Sequence, residues 1–351
     1  MRSYIIFSLL FFLIATLHSN GQTTNRNDTI RIGEEDAMEA EELYNEGIAY
    51  FQEGDYSEAM QKFNEAISVR GDFELAYYNR GLTKYKKEDY QSAIEDFNTV
   101  LEINPDKAIS YYSRGRANHK LGDLEEALSD YSIAIERDNN IYLAYYYKGK
   151  VNFLFENFQQ AIEDFSNVIN IRADYAYAYH DRGSAKVETN DTTGAFADYQ
   201  QAVVLDPTMY FTYNEIGNLY KEQKKYEEAL ENYNAAIRIN DSEHYLYSNR
   251  GMVLLRLERY EDALKDFDKA IEINPESVAA YNGRGNVKYK LNDYKGAIED
   301  YNKAVELNPD FGEAYNNRGI SHEMLGNFEK ANKDWEKAAS LGVSDAEKYL
   351  D

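Results

Sequence analysis

The chain has 351 residues, of which 43% are hydrophobic, and its 62 acidic and 38 basic residues give a formal net charge of −24. That length is too great for one ordinary core and that apolar content too high for disorder, which leaves two domains or an array of repeats. The negative balance repels phosphate backbones and anionic headgroups, so nucleic acid is not an expected partner; the lack of cysteine excludes disulfides, thiolate catalysis, cysteine-held clusters or zinc, and lipid attachment at an N-terminal cysteine.

At the start of the chain, Arg2 precedes an uncharged apolar stretch from Tyr4 to Leu17, and the sequence then turns polar at His18, Ser19, Asn20 and Gly21. This is the layout of a secretory signal, read here as residues 1–21 with cleavage after Gly21. The apolar run falls short of the roughly 20 residues that span a bilayer, so a periplasmic or extracellular location is expected, and membrane attachment only if the segment stays uncleaved. Residues 22–39 read as a flexible linker and the start of a first helix, because Gln22 to about Glu35 is rich in Thr, Asn and Gly without apolar periodicity.

From residue 40 a pattern repeats. Glycine recurs at Gly47, Gly81, Gly115, Gly149, Gly183, Gly217, Gly251, Gly285 and Gly319, always 34 residues apart. Twelve residues after each glycine stands an alanine, from Ala59 to Ala331, and four residues later an aromatic: Phe63, Phe97, Tyr131, Phe165, Tyr199, Tyr233, Phe267, Tyr301 and Trp335. A small residue follows, as at Ala66, Val100 and Ala270, and all four prolines, Pro105, Pro207, Pro275 and Pro309, fall on one further repeat position. Small residues let two antiparallel helices approach where they cross, the aromatic fills the space between successive pairs, and proline marks the end of a second helix. Gly54, Gly122, Asn190, Asn292 and Gly326 are turn formers between the two helices of a repeat. Apolar spacing within each half is helical and nowhere alternates as a strand would.

This pattern resembles the tetratricopeptide repeat (TPR) family, whose repeat has the same length and the same small, aromatic and proline positions. The resemblance covers nine repeats, 40–73, 74–107, 108–141, 142–175, 176–209, 210–243, 244–277, 278–311 and 312–345, followed by a C-terminal end at 346–351. It implies an all-α fold, a right-handed α-solenoid of helix-turn-helix pairs whose first helices line a concave groove. Repeat five matches least well, with Asp191, Thr192 and Thr193 where others carry an aromatic or leucine, and a bend is expected there.

One column departs from the family. Before each glycine, where leucine is usual, stand Glu46, Arg80, Arg114, Lys148, Arg182, Ile216, Arg250, Arg284 and Arg318. Sixteen residues later stand Lys62, Asp96, Asp130, Asp164, Asp198, Asn232, Asp266, Asp300 and Asp334. The columns change together, which predicts an ion pair between the two helices of one repeat, worth ~0.2–1 kcal/mol if solvent-exposed.

In the family's geometry, the residues three before, one after and four after the glycine face the groove. Here they are Tyr78, Leu82 and Tyr85, with Leu75 a turn earlier, then Tyr112, Arg116 and His119, then Tyr146, Lys150 and Phe153. Later repeats give Asn214, Asn218 and Lys221, then Ser248, Met252 and Leu255, then Asn282, Asn286 and Tyr289. The early groove thus reads as aromatic and the later one as amide-lined. Aromatic rings beside Arg116 and Lys150 suit apolar side chains of a peptide or the faces of sugars, and amides suit an extended peptide backbone. The expected function is a non-catalytic scaffold or adaptor that binds a protein segment in the groove; the alternatives are a cell-envelope carbohydrate-binding module and a membrane-tethered assembly factor. A carboxylate clamp for acidic tails needs a lysine three before the glycine, and no repeat has one.

Signals for catalysis, cofactor or metal are not found. His18, His119, His180, His244 and His322 lie one to a repeat or in the leader, without the spacing of a helical metal pair. The glycines serve helix packing and form no phosphate-cradling loop, and the acidic residues follow no calcium-loop pattern.

Overall fold

A computed structural model describes residues 26–349, with side-chain surroundings from residue 34; the stretch 1–21, expected to be an export signal, lies outside the described residues. Among the described residues there are nineteen helices and no strand. They fall into two compact units, the first ending at Gly122 and the second beginning at Asp123.

The first unit holds α1 (Arg26–Glu53), α2 (Tyr56–Val69), α3 (Glu74–Lys86), α4 (Tyr90–Ile103) and α5 (Ala108–Leu121). In it α1 packs on α2 and α3 on α4, while α2 meets α3 and α4 meets α5, so each helix leans on its neighbours in sequence. The helix α1 takes in residues 26–39, most of the expected linker. Glu34, Glu35, Ala37, Met38, Glu39 and Ala40 are strong helix formers, and a helix already nucleated in the first repeat extends backward through them at little cost.

The second unit opens with α6 (Leu124–Arg137), α7 (Tyr142–Leu154), α8 (Phe158–Ile171), α9 (Ala176–Glu188), α10 (Thr192–Leu205), α11 (Tyr210–Glu222) and α12 (Tyr226–Ile239). It continues with α13 (His244–Arg256), α14 (Tyr260–Ile273), α15 (Val278–Lys290), α16 (Tyr294–Leu307), α17 (Gly312–Met324), α18 (Phe328–Ser340) and the short α19 (Ser344–Glu347). From α7 to α18 an odd-numbered helix packs on the even-numbered helix after it, and each pair stacks on the next. At the end, Trp335 stacks on Tyr349 with ring centroids 4.6 Å apart.

The glycine column closes the helix pairs inside each unit. A Cβ built on Gly285 would lie 2.6 Å from the Tyr301 ring, on Gly217 2.7 Å from Tyr233, and on Gly81 2.8 Å from Phe97. Only a residue without a side chain lets the ring reach the first helix, and the alanines of the second helix are buried completely beside it. The turns between paired helices need a left-handed residue, supplied by Gly54 (φ +91°), Gly326 (φ +74°), Asn190 and Asn292 as expected, but also by Glu88, Glu156, Lys224 and Glu258. In repeat five, α10 forms despite its weak sequence, because the Asp191 side chain accepts from the Gly194 N–H at its N-terminus.

The predicted ion pair forms in both units. Arg80 holds Asp96 through two parallel bonds of 3.0 and 2.6 Å, and Arg182–Asp198, Arg250–Asp266, Arg284–Asp300 and Arg318–Asp334 repeat the geometry. Lys148 reaches Asp164 at 3.1 Å, and the reversed pair of Lys62 and Glu46 forms at 2.7 Å. The aspartate side of the pair is buried, so the value for an exposed pair does not apply to it: Asp96 and Asp300 side chains are only 3% and 4% exposed. Burial raises the Asp266 carboxyl from its ordinary range, against the pull of Arg250.

The arginine does more than close its own repeat. Its third nitrogen donates to the second helix of the preceding repeat: Arg80 to Asn64 at 2.6 Å, Arg114 to Asn98 at 2.6 Å, Arg182 to Ser166, Arg250 to Asn234, Arg284 to Asp268 and Arg318 to Asn302. The planar guanidinium also lies over the tyrosine three residues earlier, as Arg250 over Tyr247 at 5.6 Å. Repeat six lacks the arginine. There Ile216 packs with Ala195, Tyr199 and Leu219, and Asn232 turns to the backbone of its own helix.

Candidate functional site

The residues predicted to bind sit on the first helices of the repeats, and the structure divides them into two sets. Of those three before the glycine, five, Tyr44, Tyr78, Tyr146, Asn214 and Asn282, are taken up by the next repeat. Tyr44 accepts from Asn79 at 3.0 Å, the Tyr78 hydroxyl pairs with Ser113 at 3.1 Å, and Tyr146 donates to Asp181 at 2.7 Å. Asn249 donates to Asn214 at 2.9 Å, and Asn317 to Asn282 at 3.2 Å. Tyr112, Tyr146, Asn214 and Asn282 are buried, between 4% and 7% exposed, so the expectation that they form an open wall is corrected. A phenol or amide at the crossing of two helix pairs satisfies its polar atom on the neighbour, and its ring or stem fills the joint.

The residues after the glycine follow a rule of their own. At three core tyrosines, Tyr199, Tyr233 and Tyr301, the buried hydroxyl finds its partner in the residue one after the glycine. Tyr233 donates to Asn218 and Tyr301 to Asn286, both at 2.8 Å, and Tyr199 pairs with Ser184 at 3.1 Å. Where the aromatic is Phe97, Phe165 or Phe267, the same position is Leu82, Lys150 or Met252. The amide-lined stretch read from the sequence is thus, for Asn218 and Asn286, first an answer to buried phenols. The signal was present as a covariation between residues fifteen apart.

What stays open is narrower than predicted. In the first unit Leu75 is exposed, Leu82 and Tyr85 are partly buried, and Arg116 donates to the Tyr85 hydroxyl at 3.1 Å while lying 4.6 Å above its ring. In the second unit, two cavities are lined by residues of these positions. One, of about 210 Å³, is lined by Lys150, Phe153, Leu154, Phe165, Asp181 and Ser184. The other, of about 400 Å³, has Met252, Leu255, Tyr260, Asn286, Tyr289 and Asn317 among its walls. Of the predicted residues, Lys150, Phe153, Met252, Leu255, Asn286 and Tyr289 meet these cavities, whereas Asn218 is engaged by Tyr233, Glu215 and Lys221.

Charge in the first cavity is unusual. Burial raises the Asp181 carboxyl, and the bond from Tyr146 and the charge of Lys150 draw it back. Beside it, burial and then Lys150 push His180 down to about 4, so the ring is neutral at physiological pH; its Nδ1 pairs with Thr212 of the next repeat at 2.9 Å. Asp181 and Leu154 were missed from the sequence. The signal for Asp181 lies two before the glycine, where Asn45, Asn79, Ser113, Tyr147, Asn249, Gly283 and Asn317 are neutral and only Asp181 and Glu215 carry charge. Among the described residues no group of three or more acidic or histidine side chains converges as a metal would require, and no helix is long and apolar enough to cross a membrane.

Comparison with known proteins gives consistent matches. Family profiles described as TPR repeat or tetratricopeptide repeat match residues 47–88, 75–107, 120–176, 217–258, 244–277, 285–326 and 312–342. A search of curated protein sequences finds no match. Among solved structures, a tetratricopeptide repeat protein from Parabacteroides merdae aligns at 18% identity and TM-score 0.56, covering 69% of this chain and 97% of its own. The APC/C hetero-tetramer Cut9-Hcn1 aligns at 14% identity and TM-score 0.57, covering 89% of this chain and 75% of its own. YrrB, described as a TPR protein with an unusual peptide-binding site, aligns at 25% identity and TM-score 0.43 over 51% of this chain and 93% of its own.

Proposed function

The chain belongs to the tetratricopeptide repeat family, whose members serve as protein interaction scaffolds, and from that premise we propose that it is a non-catalytic scaffold gripping a peptide or protein segment. One observation carries the reading. The packing columns of the repeat are closed by glycine, alanine and aromatic contacts, whereas the positions one and four after the glycine leave two cavities walled by apolar, aromatic and amide groups in the second unit. Such walls anchor a few side chains of a partner and hydrogen-bond its backbone. Buried Tyr112 and Tyr146 have no free face for a sugar, which favours a protein ligand over a glycan. The apolar stretch Tyr4–Leu17 after Arg2 supports export, so the partner is to be sought outside the cytoplasm.

The test is affinity capture from the native compartment with the wild-type chain and three variants. Leu255→Glu and Phe153→Glu place a charge in each cavity, and Lys265→Glu alters a side chain that is 75% exposed elsewhere. A partner retained by wild type and Lys265→Glu but lost by either cavity variant supports the proposal. The same partner recovered equally by all of them rejects these cavities as the binding surface.

A further inference from the structure

The cavity between repeats four and five holds a carboxylate that the fold does not need. Elsewhere the residue two before the glycine answers the preceding repeat with a neutral group, as Asn79 does for Tyr44, Asn249 for Asn214 and Asn317 for Asn282. An asparagine would accept from Tyr146 equally well. Burying a charge in place of an amide costs free energy unless a cation meets it. Asp181 is largely buried, yet its partner is the neutral Tyr146 hydroxyl, and among the described residues no cation forms an ion pair with it. The ammonium of Lys150, on the same cavity wall, lies over the Tyr146 ring, 5.7 Å from its centroid, and acts on Asp181 through its charge without an ion-pair contact.

The surroundings point the same way. Glu215, one repeat further, is the other carboxylate of this column, and it receives only amide donors, from Asn214 at 3.0 Å and Asn218 at 3.2 Å. Both charges reach the Tyr199 hydroxyl, which burial already holds protonated. Against Asp181 the cavity offers Phe153, Leu154 and Phe165 as apolar wall, and Leu154 is 59% exposed. The chain as a whole carries −24, which steers cationic segments toward it.

We propose that this cavity is the receptor for a basic side chain of the bound segment, a lysine or arginine whose cation meets the Asp181 carboxylate while its stem and an adjacent apolar residue lie on Phe153 and Leu154. The long aliphatic stem of either residue fits an apolar wall ending in a carboxylate. The cation completes the buried charge, so affinity and selectivity come from the same atom. This inference rests on the scaffold reading above and names the chemistry of its ligand.

The test is selection of random twelve-residue peptides displayed on phage against the full chain, followed by fluorescence polarisation with the selected peptides. Selected peptides should carry lysine or arginine beside an apolar residue. Asp181→Asn, which keeps the acceptor for Tyr146, should weaken them at least about tenfold, the loss of one charge-assisted contact. Lys150→Gln, which removes a competing cation, should tighten them roughly twofold to fivefold. Circular dichroism verifies that both variants are folded, and Asp181→Glu serves as a charge-retaining second variant that should bind better than Asp181→Asn. Peptides that bind wild type and Asp181→Asn equally, or show no basic preference, overturn this inference and leave the scaffold reading intact. Failure to select any peptide overturns both.

Discussion

Two joints in the second unit solve the same problem by opposite means. Between repeats six and seven, Arg250 binds Asp266 by two bonds of 2.8 and 2.6 Å, reaches back to Asn234 at 2.7 Å and lies over Tyr247. Between repeats five and six the arginine is Ile216, its aspartate is Asn232, and Ile216 packs among Ala195, Tyr199 and Leu219. The difference teaches that the columns are one device and must change together. A lone aspartate in that place would be a buried, unmatched charge, and a lone isoleucine would face a carboxylate.

The largest effect should come from breaking the polar joint on one side. Arg250→Ala leaves Asp266 buried without its cation and should cost about 3–5 kcal/mol in chemical denaturation. Transplanting the apolar solution whole, as Arg250→Ile with Asp266→Asn, should recover most of that loss. A double variant as unstable as the single one would show that the two joints are not equivalent solutions.

Next comes acid. The apolar joint carries a polar link from His180 to Thr212, and His180 is held at about 4 instead of its usual 6.5 by burial and by Lys150. Its neutral form is favoured by the fold, so its contribution is complete above pH 6.5 and is lost as pH falls through that value toward about 4. The loss should approach about 3 kcal/mol. Melting curves at pH 7 and near 4 should show a smaller acid loss for His180→Gln than for wild type; parallel losses would assign the acid sensitivity elsewhere.

Smaller effects sharpen the comparison within the pairs. A Cβ on Gly217 meets Tyr233 at 2.7 Å and one on Gly251 meets Phe267 at 3.0 Å. Gly217→Ala should therefore cost roughly 1–2 kcal/mol after its gain in helix propensity, and Gly251→Ala less. If the order of the two melting temperatures is reversed, ring contact is not what the glycines relieve. The smallest change is favourable: Lys224 holds φ +60° in the turn of repeat six, and Lys224→Gly should stabilise by about 0.5–1 kcal/mol in the same assay.

Much of this was legible from residues alone. The spacing of Gly47 to Gly319 and of Phe63 to Trp335 announced the paired helices, and the joint variation of Ile216 with Asn232 announced the ion pair. The third arm of the guanidinium was not, because Arg80 meets Asn64 only once the stacking of repeats is known. The binding face was the least legible part. Tyr146 and Asn282 carry residue types that suit a ligand, but the same types suit a joint between helix pairs, and burial decides between them. Asn286 lines a cavity as read, but its first role was hidden for a related reason: the phenol it serves lies fifteen residues away, on another helix. In the other direction, Asp181 was hidden among the many acidic residues of the chain, although two before the glycine only Asp181 and Glu215 carry charge.

The guanidinium that reaches sixteen residues forward and sixteen back also bears on how such a chain can lengthen. An in-frame copy of residues 244–277 inserted behind the original would arrive with an arginine for the aspartate it carries and for the polar residue it lands beside, just as Arg284 already meets Asp268. Duplication of that segment needs no further substitution to be fastened at either end. A copy of residues 210–243 would bring an isoleucine to a neighbour expecting an arginine, so the same sequence that tolerates growth at one place resists it at another.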